Sequence, residues 1–252
     1  KWPNGNKQGL YSVSKTALGE QEVLKTRLYH DSFDNQINTY TDHSYRTLRT
    51  TGSGSVTTGE SVYHDRTKGG SLTLESYRLE KHTVTLVTLF KGDQHREVDR
   101  AGLENTSFKD RLLSFAGEDS FKLGDHDTLM VGASQHHLKP QHVFSRGNPY
   151  TVPHSQTANE WQGGLFHDPS SEHHFYTTLA KKTRLPTLKD RYSQRLGTFI
   201  QNPGLRAENA VNVEVGYKGT LAPHSFLEMA LFFNDITHKI QTVANVVGTQ
   251  SQ

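Results

Sequence analysis

The sequence lacks cysteine altogether, and this absence removes three kinds of chemistry at once. Without a thiol there is no disulfide, no thiolate metal site and no cysteine nucleophile. The chain of 252 residues also contains no apolar run near the ~18 residues that a membrane-spanning helix needs, and its mean hydropathy is negative. A helical membrane protein is therefore excluded. A β-barrel is not, because only alternate residues of each strand face lipid.

Excess charge and enzyme signatures are missing as well. Lys and Arg together number 28 against 26 Asp and Glu, and the basic residues are dispersed, so nucleic acid is not an expected partner. There is no nucleophile elbow, phosphate-binding loop or paired His–Glu helix motif. Asp93, His95 and Glu97 occupy every second position, and we interpret them as a polar stripe on one face of a strand. The sequence predicts neither an enzyme nor a bound cofactor.

What the chain does contain is a series of about 11 extended segments of roughly ten residues each. Two of the late segments show the alternation most clearly, with apolar residues at every second position. Their apolar positions are Val211, Val213, Val215 and Tyr217 in the first, and Leu227, Met229, Leu231 and Phe233 in the second. Such a pattern is typical of an antiparallel meander, and the predicted fold class is all-β.

The links between these segments alternate in length. Short links are predicted at 17–20, 78–81, 124–127, 168–171 and 221–224, and longer ones at about 33–60, 93–105, 139–156 and 183–206. Outer-membrane barrels show the same asymmetry, with short periplasmic turns and long extracellular loops. No linker or low-complexity tract interrupts the series, so residues 1–252 are predicted to form one β-barrel region.

Four phrases in the last third of the chain carry a family resemblance. They are Arg-Leu-Pro-Thr-Leu-Lys-Asp-Arg-Tyr at 184–192, Asn-Pro-Gly-Leu-Arg-Ala-Glu at 202–208, Glu-Val-Gly-Tyr at 214–217, and Leu-Phe-Phe-Asn-Asp-Ile at 231–236. Their order and spacing resemble the late barrel strands of TonB-dependent outer-membrane receptors. Proline cannot donate to a strand ladder, so Pro186 and Pro203 are expected at strand ends or in a loop. Glu208 and Glu214 are expected to face the lumen.

The resemblance implies a location, a function and partners. It implies about half of a transmembrane barrel in the bacterial outer membrane, in an excerpt without the plug domain and the final strands. The implied function is TonB-dependent uptake of a scarce nutrient, with a ferric siderophore as the expected ligand. The implied partners are the TonB complex, acting through the absent plug, and outer-membrane lipid and lipopolysaccharide. A passive porin-like channel and a soluble β-sheet binding module remain alternatives.

Ligand-binding residues are predicted on the long links, where arginine could hold an anionic ferric chelate and tyrosine could stack on it. The candidates are Tyr45, Arg46, Arg49, Arg146, Tyr150, Arg191 and Arg195. Histidine is abundant, at 15 residues, but pairs such as His136-His137 and His173-His174 match no standard zinc spacing. No metal site is predicted. In the haem receptors of the family that the chain resembles, a phenylalanine-arginine-alanine-proline phrase and a histidine precede the Asn-Pro phrase. Here no histidine lies between Arg184 and Asn202, so the resemblance disfavours haem.

Overall fold

The computed structural model describes residues 1–50, 59–193 and 199–244, and its fold is built from long strands. One short helix, α1, spans Leu188–Tyr192. The ten strands are β1 (Asn4–Ala17), β2 (Glu22–Asn38), β3 (Glu60–Ser76), β4 (His82–Asp99), β5 (Glu104–Lys122), β6 (Asp127–Ser145), β7 (Gln156–Ser170), β8 (His173–Arg184), β9 (Glu208–Ala222) and β10 (Ser225–Thr237).

The strands form a single sheet in which spatial order equals chain order, from β1 to β10. Every neighbouring pair is antiparallel, so the predicted meander is confirmed. Within the described residues, β1 and β10 each have one strand neighbour, and the sheet is therefore an open part of a barrel. No helix in this part of the chain is long and apolar enough to cross a membrane.

Short and long links alternate as predicted, with one exception. The links at 18–21, 77–81, 123–126, 171–172 and 223–224 form the short-link end, and those at 39–59, 100–103, 146–155 and 185–207 form the opposite, long-link end. The prediction of a long link over 93–105 is wrong, because β4 continues to Asp99 and β5 begins at Glu104. The Asp99 carboxylate accepts from the backbone N–H groups of Ala101 and Leu103 and closes this four-residue turn.

The sheet has two chemically different faces. We call the face on which α1 packs the inner face, and the opposite one the outer face. Residues that are paired across two strands share a face of the sheet. Val213 is paired with Phe233 and Val215 with Leu231, and these four residues lie on the outer face together with Val211. These side chains are exposed, up to 79% for Leu231. We call the outward apolar residues the outer apolar band.

The inner face is more polar than the outer one, although it also carries apolar side chains, among them Phe108 of β5 and Phe226 and Phe232 of β10. Glu214 and Glu208 lie on it, as predicted, and Glu214 accepts a hydrogen bond from the Tyr176 hydroxyl at 2.6 Å. Buried apolar side chains are few in the described residues, namely Phe108, Leu138, Ala158 and Tyr192. A sheet with so small a core does not bury its apolar side chains within itself, and they need another apolar phase.

Glycine lets inner-face aromatic rings lie flat on the neighbouring strand. The Tyr176 ring of β8 covers Gly216 of β9, and the Tyr29 ring of β2 covers Gly69 of β3 in the same way. A Cβ at either glycine would overlap the ring that covers it. The aromatic side chain thus replaces the packing that glycine lacks, and each pair locks the register of its two strands.

Candidate functional site

The link between β8 and β9 returns onto the inner face and begins with α1. Thr187 caps this helix: its hydroxyl accepts from the Asp190 backbone N–H at 3.2 Å, while the Asp190 carboxylate accepts from the Thr187 N–H at 3.0 Å. Arg184, at the end of β8, donates to both Asp190 oxygens at 3.0 Å. This reciprocal capping ties the start of α1 to the strand that precedes it.

These contacts also set the acidity of Asp190. Burial by itself would raise the pKa of its carboxyl group. The hydrogen bonds from Thr187 and the charge of Arg184 oppose burial and hold that pKa below its usual value. Asp190 is therefore ionised at neutral pH and keeps its bonds to the helix start.

A buried ion pair fastens α1 to the barrel wall. Arg191 is 0% exposed, and its guanidinium contacts the carboxylate of Asp110 on β5. Nε and Nη1 of Arg191 and Oδ1 of Asp110 have no hydrogen-bond partner within the described part of the chain. The far end of α1 is held as well, since Gln201 donates to the Tyr192 carbonyl at 2.8 Å and accepts from Ser145 of β6.

An aromatic column runs from the wall onto the helix. Tyr63 of β3 packs against His95 of β4, with 5.5 Å between ring centroids, and His95 stacks on Phe108 of β5 at 6.0 Å. Phe108 in turn stacks on Tyr192 of α1 at 4.1 Å with the rings nearly parallel. Burial raises the pKa of the Tyr192 hydroxyl, which is 4% exposed and has no partner among the described residues.

Beside this column lies a cavity of about 600 Å³. Its lining includes the four rings of the column, Trp2, and the acidic side chains Asp65, Asp93 and Glu97. The acids are held in place: Asp65 contacts His95 Nδ1 at 2.6 Å, and Asp93 accepts from Thr67 at 2.8 Å and pairs with Lys91 at 2.7 Å. Flat rings beside fixed carboxylates suit a ligand that combines apolar or aromatic surface with hydrogen-bond donors.

The predicted ligand residues are spread over three links at the long-link end. Tyr45, Arg46 and Arg49 lie in the link at 39–59, and Arg146 and Tyr150 in the link at 146–155. Tyr45 stacks edge-on with Tyr40 at 5.4 Å, and Arg49 donates its backbone N–H to Thr39. The structure places these residues on the same end of the sheet, as a ligand entrance requires, and their role stays a prediction.

The arginines differ in how free they are to meet a ligand. Arg146 is engaged with the Asp99 carboxylate at 3.2 Å and with the Glu104 carbonyl at 2.6 Å. Arg191 is buried under α1, so it contacts a ligand only if α1 leaves the wall. Arg195 lies outside the described residues.

Sequence reasoning missed most of the cavity. The Asp93, His95 and Glu97 stripe was recognised as polar and does share one face, but Tyr63, Phe108 and Tyr192 gave no signal of their own. Each sits at an ordinary alternating strand or loop position, and only register and the return of α1 bring them together. In the described residues, no three acidic or histidine side chains converge as metal ligands.

Comparison with known proteins places the chain in a family. The family model described as TonB dependent receptor-like, beta-barrel matches residues 2–252. None of the curated proteins with which the sequence was compared matches it.

Several solved structures share the fold at low sequence identity. The copper transporter OprC is 14% identical with a TM-score of 0.71, over 98% of this chain and 41% of its own. The ferric-catecholate import receptor Fiu from E. coli K12 is 14% identical with a TM-score of 0.61, over 98% of this chain and 43% of its own.

The ferric preacinetobactin receptor BauA from Acinetobacter baumannii is 10% identical with a TM-score of 0.64, over 90% of this chain and 37% of its own. The chain thus spans less than half the length of these receptors. Its open ten-stranded sheet, polar inside and apolar outside, matches part of their barrels, and its family model covers nearly every residue. The chain belongs to the TonB-dependent receptor family and forms part of the β-barrel of that family.

Proposed function

We propose that this chain is part of the wall of an outer-membrane receptor that imports a scarce nutrient with energy delivered through TonB. The observation that carries the proposal is the division of the sheet into an exposed apolar outer face and a polar inner face with a ligand-sized cavity. A porin-like channel would also have an apolar outer face and a polar inner face. The cavity and the folded-in helix, which narrow the lumen, favour a receptor over an open channel.

A ferric siderophore is the proposed cargo. Two of the three fold neighbours named above are receptors for ferric chelates, which supports that class without establishing it. The four rings of the aromatic column offer a stacking surface to a chelate that carries aromatic groups, and Lys91 adds a cation to the lining of the same cavity. Copper is the second candidate, because the copper transporter OprC shares the fold over 98% of this chain.

The test is uptake by cells that carry the full receptor. Radiolabelled iron is supplied as a panel of ferric chelates, including catecholates, hydroxamates and mixed ligands, and copper is supplied as a free salt. We expect saturable iron uptake for one chelate class, abolished when TonB is deleted. Uptake that persists without TonB and rises linearly with concentration would identify a passive channel instead.

The inner-face site is tested in the same assay. Asp93→Asn and Tyr63→Ala alter the cavity lining, while Asn212→Gln on β9 changes an inner-face residue away from it. We expect the first two to raise the concentration needed for half-maximal uptake, and the third to leave it unchanged. Equal behaviour of all three would place the ligand elsewhere in the receptor.

A further inference from the structure

A second cavity lies between the β8–β9 link and the segment that follows β10, at the long-link end of the sheet. We call this segment, residues 238–244, the post-β10 segment. The second cavity has a volume of about 330 Å³, roughly half that of the cavity beside the aromatic column. Lys189 and Ser193 line both cavities, so α1 and the residue that caps its end separate one cavity from the other.

The two walls of the second cavity are fastened together by side chains at the ends of β8 and β9. Arg184 and Glu208 are paired across these strands. Ile240 donates its backbone N–H to the Glu208 carboxylate at 2.7 Å, and its carbonyl accepts from Arg184 at 3.4 Å. The same guanidinium donates to both oxygens of Asp190 on α1. Because one arginine holds both walls, the second cavity is a built feature of the fold.

The charge of the second cavity is positive. Lys189 and Lys239 line it, both are exposed, and neither forms an ion pair with a carboxylate in the described ranges. Asp190 is the acidic residue of the lining, and both of its oxygens are engaged by Arg184. The cavity beside the aromatic column, by contrast, is lined by three acidic side chains. An anionic group is therefore expected in the second cavity.

The remaining lining adds a requirement for an apolar body. Apolar side chains from both walls face the same space. They are Phe199, Ile200 and Leu205 of the link, and Ile240 and Val243 of the post-β10 segment. A cavity of this size lies at the lower end of the range for small-molecule sites, about 300–1,000 Å³, so the ligand is compact. Inorganic anions have the charge for this cavity but no surface to place against its apolar walls.

We propose that the second cavity binds a small organic carboxylate, which contacts Lys189 and Lys239 through its anionic group and the apolar walls through its body. A carboxylate is favoured over a phosphate ester because a second charge and a third oxygen would have to be desolvated beside apolar side chains. The ligand touches both walls, so its binding holds the post-β10 segment against α1. The proposal does not depend on which nutrient the receptor imports.

The test is hydrogen exchange, measured by mass spectrometry on the full receptor in detergent. The probe is 4-phenylbutyrate, and its neutral amide is the control for partition into the micelle. We expect 4-phenylbutyrate to slow exchange over 188–193 and 238–243, the two segments that it would join. The amide should leave both segments unchanged. Equal protection by acid and amide, or protection by neither, would overturn the site.

Lysine variants test whether the charge is read by these two residues. Lys239→Gln should raise the concentration for half-maximal protection about tenfold, the effect of one hydrogen bond to a charged group, and adding Lys189→Gln should raise it about 100-fold. The matched control, Lys7→Gln with Lys15→Gln, removes the same charge from β1. It should behave like the wild type. If the two double variants weaken protection equally, net charge is responsible and the cavity is not the site.

A bulky side chain tests the apolar part of the cavity. Leu205→Trp fills the space that the body of the ligand would occupy, so protection by 4-phenylbutyrate should be lost. Exchange over 188–192 without the probe shows whether the variant keeps α1 in place. A variant with α1 in place that is still protected contradicts the assignment of the body to this cavity.

Two further probes test the class of anion. Inorganic phosphate should give no protection, because it has no apolar body. Phenyl phosphate should protect only at higher concentration than 4-phenylbutyrate. If either probe protects as well as the carboxylate, the assignment to a carboxylate is wrong.

The uptake assay separates two sources of the carboxylate. If the group belongs to an arm of the imported chelate, 4-phenylbutyrate should compete with iron uptake and Lys239→Gln should raise the concentration for half-maximal uptake. If it belongs to a free organic acid, Lys239→Gln should leave uptake unchanged. Protection without any TonB-dependent uptake contradicts the proposed function alone, whereas uptake without protection contradicts the second site alone.

Discussion

The outer apolar band exposes apolar side chains, whereas the inner face beneath α1 buries charged ones. On the outer face, the apolar side chains of Leu231 and Val215 are exposed, at 79% and 55%. On the inner face, the charged Arg191 and the carboxylate of Asp110 are buried. A water-soluble sheet shows the reverse arrangement, with polar residues outside and apolar ones inside. The comparison teaches that this sheet turns apolar side chains outward and buries charges on its inner side, which is the arrangement of the β-barrels of the family to which the chain belongs.

The largest effect is expected where the buried ion pair is broken. Arg191→Ala leaves Asp110 without its partner, and the loss of a buried partner costs about 3–5 kcal/mol. Because the pair fastens α1 rather than the strands, the effect should appear as release of the β8–β9 link, measured as faster hydrogen exchange over 188–192.

Its control replaces both partners together. Arg191→Met with Asp110→Leu removes both charges at similar volume, and such apolar replacements are close to neutral or stabilising. We expect exchange over 188–192 to return toward the wild-type rate. Slow exchange in the single Arg191→Ala variant would show that the aromatic column alone holds the helix.

A charge on the outer band tests the other half of the comparison. Val213→Arg places a cation on the outer face of β9, and if that face meets lipid near the bilayer midplane we expect a loss of about 2–4 kcal/mol. Asn212→Arg, one residue away on the inner face, should cost far less. The two variants are compared by the urea concentration at which half of the full receptor is unfolded in lipid bilayers. Equal costs would contradict the assignment of the faces.

A bulky residue at Gly216 tests the packing of β8 against β9 on the inner face. Gly216→Leu forces the Tyr176 ring off the strand, and overpacking of this kind costs about 1–3 kcal/mol. Adding Tyr176→Ala should recover part of the loss, because it removes the ring that the leucine displaces. The same unfolding measurement should then show that the double variant loses less stability than the sum of the two single variants.

The smallest effect is expected at the helix cap. Because the pKa of Asp190 is lowered in the folded state, its contribution is full above the ordinary carboxyl pKa of about 3.9 and is lost as pH falls through the lower folded value. Once exchange rates are divided by the intrinsic rates at each pH, protection of the amides over 188–192 should therefore fall below about pH 4 in the wild type. Asp190→Asn should remove this pH response, and Thr187→Ala should cost about 1 kcal/mol at neutral pH.

Much of the sheet could be predicted because its alternation is strong and local. Val211, Val213 and Val215 share a face in any extended strand, so the outer band of β9 follows from the sequence directly. The end of β4 could not be predicted in the same way. Residues 93–97 are polar on both faces, and without apolar alternation they have the composition of a loop. Only pairing with β3 and β5 makes them a strand.

The candidate site was harder to predict than the sheet. Arg191 has the sequence context of an exposed loop arginine, yet it is buried against Asp110, 81 residues earlier in the chain. Its burial depends on the direction in which the link folds, which no local pattern encodes. The predicted roles of Tyr45, Arg46, Arg49, Arg146, Tyr150 and Arg195 stay predictions for the same reason, because ligand contact depends on the arrangement of separate links.

The sequence by itself determined that this protein is a series of antiparallel strands, one side of them apolar, with the phrases of a TonB-dependent receptor. Those properties are periodic or contiguous, so they are present before the chain folds. Only the tertiary structure decided where the polar interior concentrates its chemistry. That depends on register and on the return of α1, which bring rings from three strands and the helix into one stack and leave no trace in any single segment.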